Sequence, residues 1–280
     1  MEAIPYPVIM TPQTTFSSLV TAALIVGGFA TSMAHAASVV IDFSGTQYAD
    51  NFTETSNGDR LNNTSGALTL NNAASLAGIA VYNTPFPSDP LADFSVKIDG
   101  KFTTRPTSFG GDSVGIMTNL NDSGAGLLAV FRIGGATSAD FRLFQGNSSG
   151  SLTTPALASQ TVSTIAGFGG FQSNTFYTFQ LSVSTDSANN STTLTGSILD
   201  AGSGSLIASF NSVVATGSNF IGENGVALRL GTQGNINNYT TVDNFVLTSA
   251  ASPVPEPAAA ALLSGLGVLG LVASRRRRRN

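Results

Sequence analysis

Asp112 and the run Asn119-Leu120-Asn121-Asp122-Ser123-Gly124 bring carboxylate, amide and hydroxyl oxygens close together in the chain. Oxygen donors of this kind suit calcium, a hard cation. Asp112, Asn121 and Asp122 are therefore candidate ligands, and calcium is the one metal that the residue types leave open. The run is not an EF-hand loop, because no Glu stands at its twelfth position. A hairpin turn in which Asn and Asp cap their own backbone accounts for the same residues without an ion. No other cofactor is expected.

Hydrolytic chemistry finds less to work with. Retaining glycoside hydrolysis uses two carboxyl groups about 5–5.5 Å apart, one of them with a raised pKa. Residues 37–252 hold two glutamates, Glu54 and Glu223, both in turn-like polar surroundings, and Asp89 and Asp93 are interrupted by Pro90. Cysteine is absent, and His35 is the one histidine. Thiolate nucleophiles, disulfides and iron–sulfur clusters are thereby excluded. A chain that sheds His35 also lacks a Ser–His–Asp triad and histidine-ligated zinc. These residues point to a protein that is not an enzyme.

Sugar contact is the other chemistry within reach. It needs an aromatic face for the ring and Asn, Asp or backbone groups for the hydroxyls. Tryptophan is absent, so the available platforms are Tyr48, Tyr82, Tyr239, Phe109, Phe168 and Phe171. The segment Gly167-Phe168-Gly169-Gly170-Phe171 either presents two rings on a loop or folds them over the core, where aromatic rings contribute large buried area. Nucleic acid is not an expected partner. Fourteen acidic groups against seven basic ones give residues 37–252 a charge of −7, with Lys97 and Lys101 the only lysines. So few cations displace few counterions from a phosphate backbone.

Both ends read as targeting segments. Residues 16–30 are apolar and short, and Ala34 and Ala36 are the small residues a signal peptidase accepts, with cleavage between Ala36 and Ala37. The stretch before the apolar run carries Glu2 and no Lys or Arg. Residues 1–36 are thus expected to be a signal peptide, and signal peptidase a partner. At the other end Val254-Pro255-Glu256-Pro257 precedes an apolar run over 258–274, then Arg275, Arg276, Arg277, Arg278 and Arg279 before Asn280. Seventeen apolar residues are at the short end of a membrane span. The arginines would stay cytoplasmic and stop transfer. Pro257 suits the first turn of a helix, and Pro255 and Pro257 each hold the residue before them extended.

This ending, residues 253–280, resembles the PEP-CTERM sorting signal of Gram-negative bacteria. The resemblance implies recognition by an exosortase in the inner membrane, cutting near the Pro-Glu-Pro triplet. It also implies a location at the cell surface or in the matrix, in an exopolysaccharide or biofilm setting.

The elements between the two ends are strands. Phe94, Val96, Ile98 and Phe102 alternate with Ser95, Lys97 and Asp99; Tyr177, Phe179, Leu181 and Val183 alternate with Thr178, Gln180 and Ser182; and Val226, Leu228 and Leu230 alternate with Ala227 and Arg229. A period of two marks a half-buried strand. Leu194 and Ile198 flank Gly196 in a further strand, and others are expected over 38–43, 67–71, 76–82, 112–118, 125–133, 139–145, 204–210 and 240–248. No stretch reads as a long amphipathic helix. About a dozen strands in one domain over 37–252 predict an all-β, antiparallel sandwich. The strands Phe94–Phe102 and Tyr177–Val183 and the closing Val242-Asp243-Asn244-Phe245-Val246-Leu247 are similar to concanavalin A-like or laminin-G-like jelly rolls. That fold family includes laminarinase-like glycosidases with a Glu-x-Asp-x-x-Glu strand, a triplet this chain lacks. The expectation is an exported, non-catalytic surface or matrix protein that is adhesive, glycan-contacting or structural. An extracellular carbohydrate-active enzyme is the alternative.

Overall fold

The computed structural model describes residues 37–55, 60–64, 66–70, 77–109, 113–149, 155–216, 220–231 and 240–249. Residues 1–36, Asp112, Tyr239 and the whole tail from Val254 to Arg279, with its expected 258–274 helix, lie outside these. No helix among the described residues is long and apolar enough to cross a membrane. His35–Ser252 form a compact unit of their own.

In chain order the elements are β1 (Ser38–Ile41), the short helix α1 (Gln47–Asn51), β2 (Phe52–Glu54), β3 (Leu61–Thr64), β4 (Ala67–Leu70), β5 (Gly78–Tyr82), β6 (Phe94–Phe102), β7 (Ser113–Leu120), β8 (Ala125–Ile133), β9 (Ala139–Asn147), β10 (Ala158–Val162), β11 (Phe176–Asp186), β12 (Ser191–Asp200), β13 (Leu206–Ser209), β14 (Val213–Thr216), β15 (Gly225–Gly231) and β16 (Thr240–Ser249). One sheet runs β13-β12-β11-β6-β16-β4-β3, with β1 also paired to β16 and β14 to β12; the other runs β10-β9-β8-β7-β15-β5-β2. Every pairing is antiparallel. The predicted all-β antiparallel sandwich is thus the fold.

The two sheets face each other across a core rich in phenylalanine. Phe131 of β8 packs on Phe179 of β11 at 5.7 Å between ring centroids, and Phe52 of β2 meets Phe245 of β16 edge-on at 5.2 Å. The alternation of β6 explains its half of this core, since Phe94, Val96, Ile98, Gly100 and Phe102 are buried and the residues between them are not. Gly196 opens room for the rings opposite it. A Cβ there would come within 2.6 Å of the Phe141 ring and 3.0 Å of Phe131.

β2, β3, β10 and β14 were not expected as strands. Each has three to five residues, and polar runs such as Asn62-Asn63 and Ser159-Gln160 supply no apolar alternation. β2, β3 and β10 are sheet edges, where pairing on one side suffices and side-chain burial is not required. β7 departs from alternation altogether, with all eight residues buried. Its second face joins a smaller apolar cluster of Ile79, Met117, Leu120, Leu128, Val130 and Ala227 on the outer side of the seven-stranded sheet.

Candidate functional site

The outer side of the seven-stranded sheet gathers three of the seven arginines and lysines of residues 37–252. Register places Ser113 opposite Arg132, and Arg132 opposite Asp140. One step along, Arg229 stands opposite Gly115, Gly115 opposite Val130, and Val130 opposite Arg142. Side chains alternate along a strand. The neighbours Val114, Leu228, Phe131 and Phe141 enter the core between the sheets, so Ser113, Arg132, Asp140, Arg142 and Arg229 all point outward.

Asp140 is the anion of this face. Its side chain is 1% exposed, and Arg132 and Arg142 both pair with its Oδ2. Arg132 donates to that oxygen from Nε at 3.0 Å and again from Nη2, and Arg142 donates from Nε at 3.0 Å. Thr161 of β10 reaches Oδ1. Arg132 is further held by Phe109. Its Nη1 donates to the Phe109 carbonyl, and its guanidinium lies 5.6 Å from the centre of the Phe109 ring. Burying a carboxylate is costly without paired cations or hydrogen bonds, and Asp140 has both. The guanidinium of Arg142 spends only Nε on Asp140, and its side chain is 40% exposed.

Arg229 is the contrasting case. It has no carboxylate within ion-pair distance among the described residues. Nη1 donates to Ser113 Oγ at 3.2 Å, while Nε is buried with no partner. Burial pushes its pKa down to about 10, which still leaves it charged at neutral pH. The sheet makes room for it with glycine. A Cβ on Gly231 would come within 2.5 Å of Nη1, and one on Gly115 within 2.9 Å of the Arg229 Cβ. Among the described residues this face holds three guanidiniums and one carboxylate, which pairs with two of them, so the local charge is positive on an acidic domain.

The candidates read from sequence are distributed differently. Asn121 closes the β7–β8 turn: its Oδ1 accepts from Ser123 N, Ser123 Oγ and Ala125 N at 2.6–3.0 Å. Asp122 is exposed beside it. The described residues hold no group of three His, Cys, Asp or Glu placed to bind a metal. Ala37 is exposed and accepts from Ser249 N through its carbonyl. Phe171 is fully buried and Phe168 packs edge-on against it at 4.8 Å, so that loop covers the core rather than presenting rings. Tyr82 is buried, and Tyr48 stacks on Phe52. Of the described platforms, Phe109 alone reaches the arginine face. Glu54 accepts backbone N–H groups from Arg60 and Leu61, and Asp89 and Asp93 accept from Leu91 and Thr185.

Two features of the nine-stranded sheet were not expected. Ser95, Ser182, Thr195 and Thr248 form a cross-strand row of hydroxyls, lining an outer groove of about 400 Å³. Asp243 and Asp99 are register partners on β16 and β6, beside a bulge at Asn244. Both Asp99 oxygens are engaged, Oδ1 by Thr178 Oγ1 and Oδ2 by Asn244 Nδ2. Burial raises the pKa of Asp243, and the nearby charges of Asp99 and Asp42 raise it further.

Residues 253–278 carry a PEP-CTERM protein-sorting motif. No curated protein matches the chain. Among solved structures, the chain is similar to the CBM2 module of the evolved Dit of Lactobacillus casei BL23 phage J-1, at 10% identity and a TM-score of 0.50, over 78% of this chain and 97% of that one. It is also aligned with arcelin-5, a lectin-like defense protein from Phaseolus vulgaris, at 13% identity and a TM-score of 0.45, over 78% and 99% of the two chains. The winged bean acidic lectin complexed with methyl-α-D-galactose aligns at 12% identity and a TM-score of 0.46, over 77% and 99%. The phage module shares the fold of this chain.

Proposed function

We propose that this chain is an exported, non-catalytic protein of the cell surface or extracellular matrix whose sandwich contacts glycans through the outer side of its seven-stranded sheet. The sorting motif at 253–278 supports export and handling by an exosortase in the inner membrane. Signal peptidase acting between Ala36 and Ala37 rests on the residue pattern there. The observation that carries glycan contact is the built polar face. Arg132, Asp140 and Arg142 are locked to one another beside the Phe109 ring, and Arg142 keeps its terminal nitrogens free for a ligand. Fixed polar groups next to an aromatic ring are what a sugar site requires. Exopolysaccharide of a biofilm is the glycan this location would offer. A glycan array probed with the full chain in detergent tests the reading. Binding to a defined set of glycans is expected, and an array with no signal overturns it.

The alternative, an extracellular carbohydrate-active enzyme, is favoured by one observation, the Asp99–Asp243 pair with its raised Asp243 pKa. Glycan hydrolysis by the full chain that disappears in Asp243→Asn would establish it.

A further inference from the structure

We propose that Arg229 and Arg142 form a two-point site for the anionic groups of an acidic polysaccharide, laid across β15, β7, β8 and β9 on the outer side of the seven-stranded sheet. The proposal rests on the glycan-binding reading above and names the class of glycan.

Three observations lead to it. The first is Arg229 itself. A guanidinium removed from water without an anion is destabilising, and structures that tolerate one commonly use it. Here Nε is buried and unpartnered, and Ser113 is the only acceptor among the described residues. Gly115 and Gly231 leave the space that the side chain fills. The second is Arg142. Asp140 anchors its Nε, which orients the side chain, and the two terminal nitrogens remain for a second anion. Guanidinium nitrogens bind carboxylate or sulfate oxygens in pairs, with geometry that an ammonium cannot match. The third is the spacing. Arg229 and Arg142 are three strand steps apart in the ladder, or roughly 14 Å at the usual interstrand distance. A polymer with charge repeated along its length can meet both points, whereas a single small anion cannot. Ser113 and Thr161 use their hydroxyls to hold Arg229 and Asp140 in place on the same face.

The sign of the local charge agrees with this. Residues 37–252 are acidic overall, yet among the described residues this face holds three arginines and one carboxylate, Asp140, which pairs with two of them. A general surface attraction for anions is absent, so selectivity has to come from the built site.

The test uses the full chain in detergent, immobilised, with three soluble probes: polygalacturonate for carboxylates, dextran sulfate for sulfate esters, and neutral dextran. Binding to at least one polyanion is expected, stronger than to dextran and weakened as NaCl rises from 50 to 300 mM. The stronger of the two polyanions identifies the anion. Arg229→Met and Arg142→Gln should each lower that affinity at least tenfold while circular dichroism and the thermal midpoint show an intact fold. Arg142 is partly exposed, so Arg142→Gln remains informative if Arg229→Met folds poorly. Polyanion binding that is unchanged in both variants overturns the site. Equal binding of dextran, or neutral glycans on the array with neither polyanion bound, overturns it while leaving glycan binding intact. Silence toward every glycan removes both.

Discussion

Arg229 and Ser113 lie 116 residues apart in the chain and meet across the β15–β7 seam, where Arg229 Nη1 donates to Ser113 Oγ at 3.2 Å. The hydroxyl is the one acceptor this guanidinium has among the described residues. The pair therefore reports whether Arg229 contributes to stability or is retained at its expense.

Replacing each partner should give opposite results. Ser113→Ala removes the acceptor of a half-buried charged donor and should lower unfolding stability by about 1.5 kcal/mol. Arg229→Met keeps an unbranched apolar stem and removes a poorly compensated charge. It should be neutral or stabilising by up to about 2 kcal/mol. Urea unfolding of the two variants measures both. A loss above about 3 kcal/mol in Arg229→Met would mean that the guanidinium is well paired.

Asp140 and Arg142 should behave unequally although they share an ion pair. Asp140→Asn leaves Arg132 and Arg142 without their anion at a 1% exposed position and should cost about 3 kcal/mol. Arg142→Gln, at a side chain 40% exposed with Arg132 still paired to Asp140, should cost less than about 1 kcal/mol. Equal losses in urea unfolding would contradict the asymmetric arrangement.

Asp243 should make stability depend on pH in an unusual direction. Its pKa is raised in the folded protein by burial and by Asp99 and Asp42. Its contribution to stability is thus fully present below the unfolded value of 3.8 and is lost as pH rises through the raised folded value. Asp243→Asn should therefore raise the thermal midpoint at pH 7, by roughly 2 °C in a domain of this size, and leave it nearly unchanged at pH 3. A lower midpoint at pH 7 would show that the charge is stabilising. Asp42, Asp186 and Asp200, held low by side-chain bonds from Ser44, Asn189 and Ser203, work in the opposite sense and are lost as pH falls.

The tail should be removed in the native host. Residues 258–274 are rich in alanine and glycine, which insert less favourably than leucine or isoleucine. They also let another helix approach closely inside a membrane. Mass spectrometry of the protein purified from its host should find a C-terminus near Pro255-Glu256-Pro257. Recovery of chains ending at Asn280 would favour a retained anchor. Changing Arg275 to Arg279 together to serine should block processing.

Much of this protein was legible in the residues. The period of two in Phe94–Phe102 and Tyr177–Val183 determined strands with one inward face, because side chains of a strand alternate whatever the partner is. The absence of cysteine and the single His35 removed whole classes of chemistry. The order of Pro255-Glu256-Pro257, an apolar run and five arginines determined the sorting motif, since such a signal is read as linear sequence. Tertiary structure alone decided which outward residues meet. Arg229, Ser113, Arg132 and Arg142 come from four strands, and Asp99 finds Asn244 at a separation of 145 residues. Strand order and register between distant segments depend on the joint burial of both sheets, which no local pattern contains. The same holds for β7, whose second buried face follows from the neighbours it acquires and not from its own eight residues.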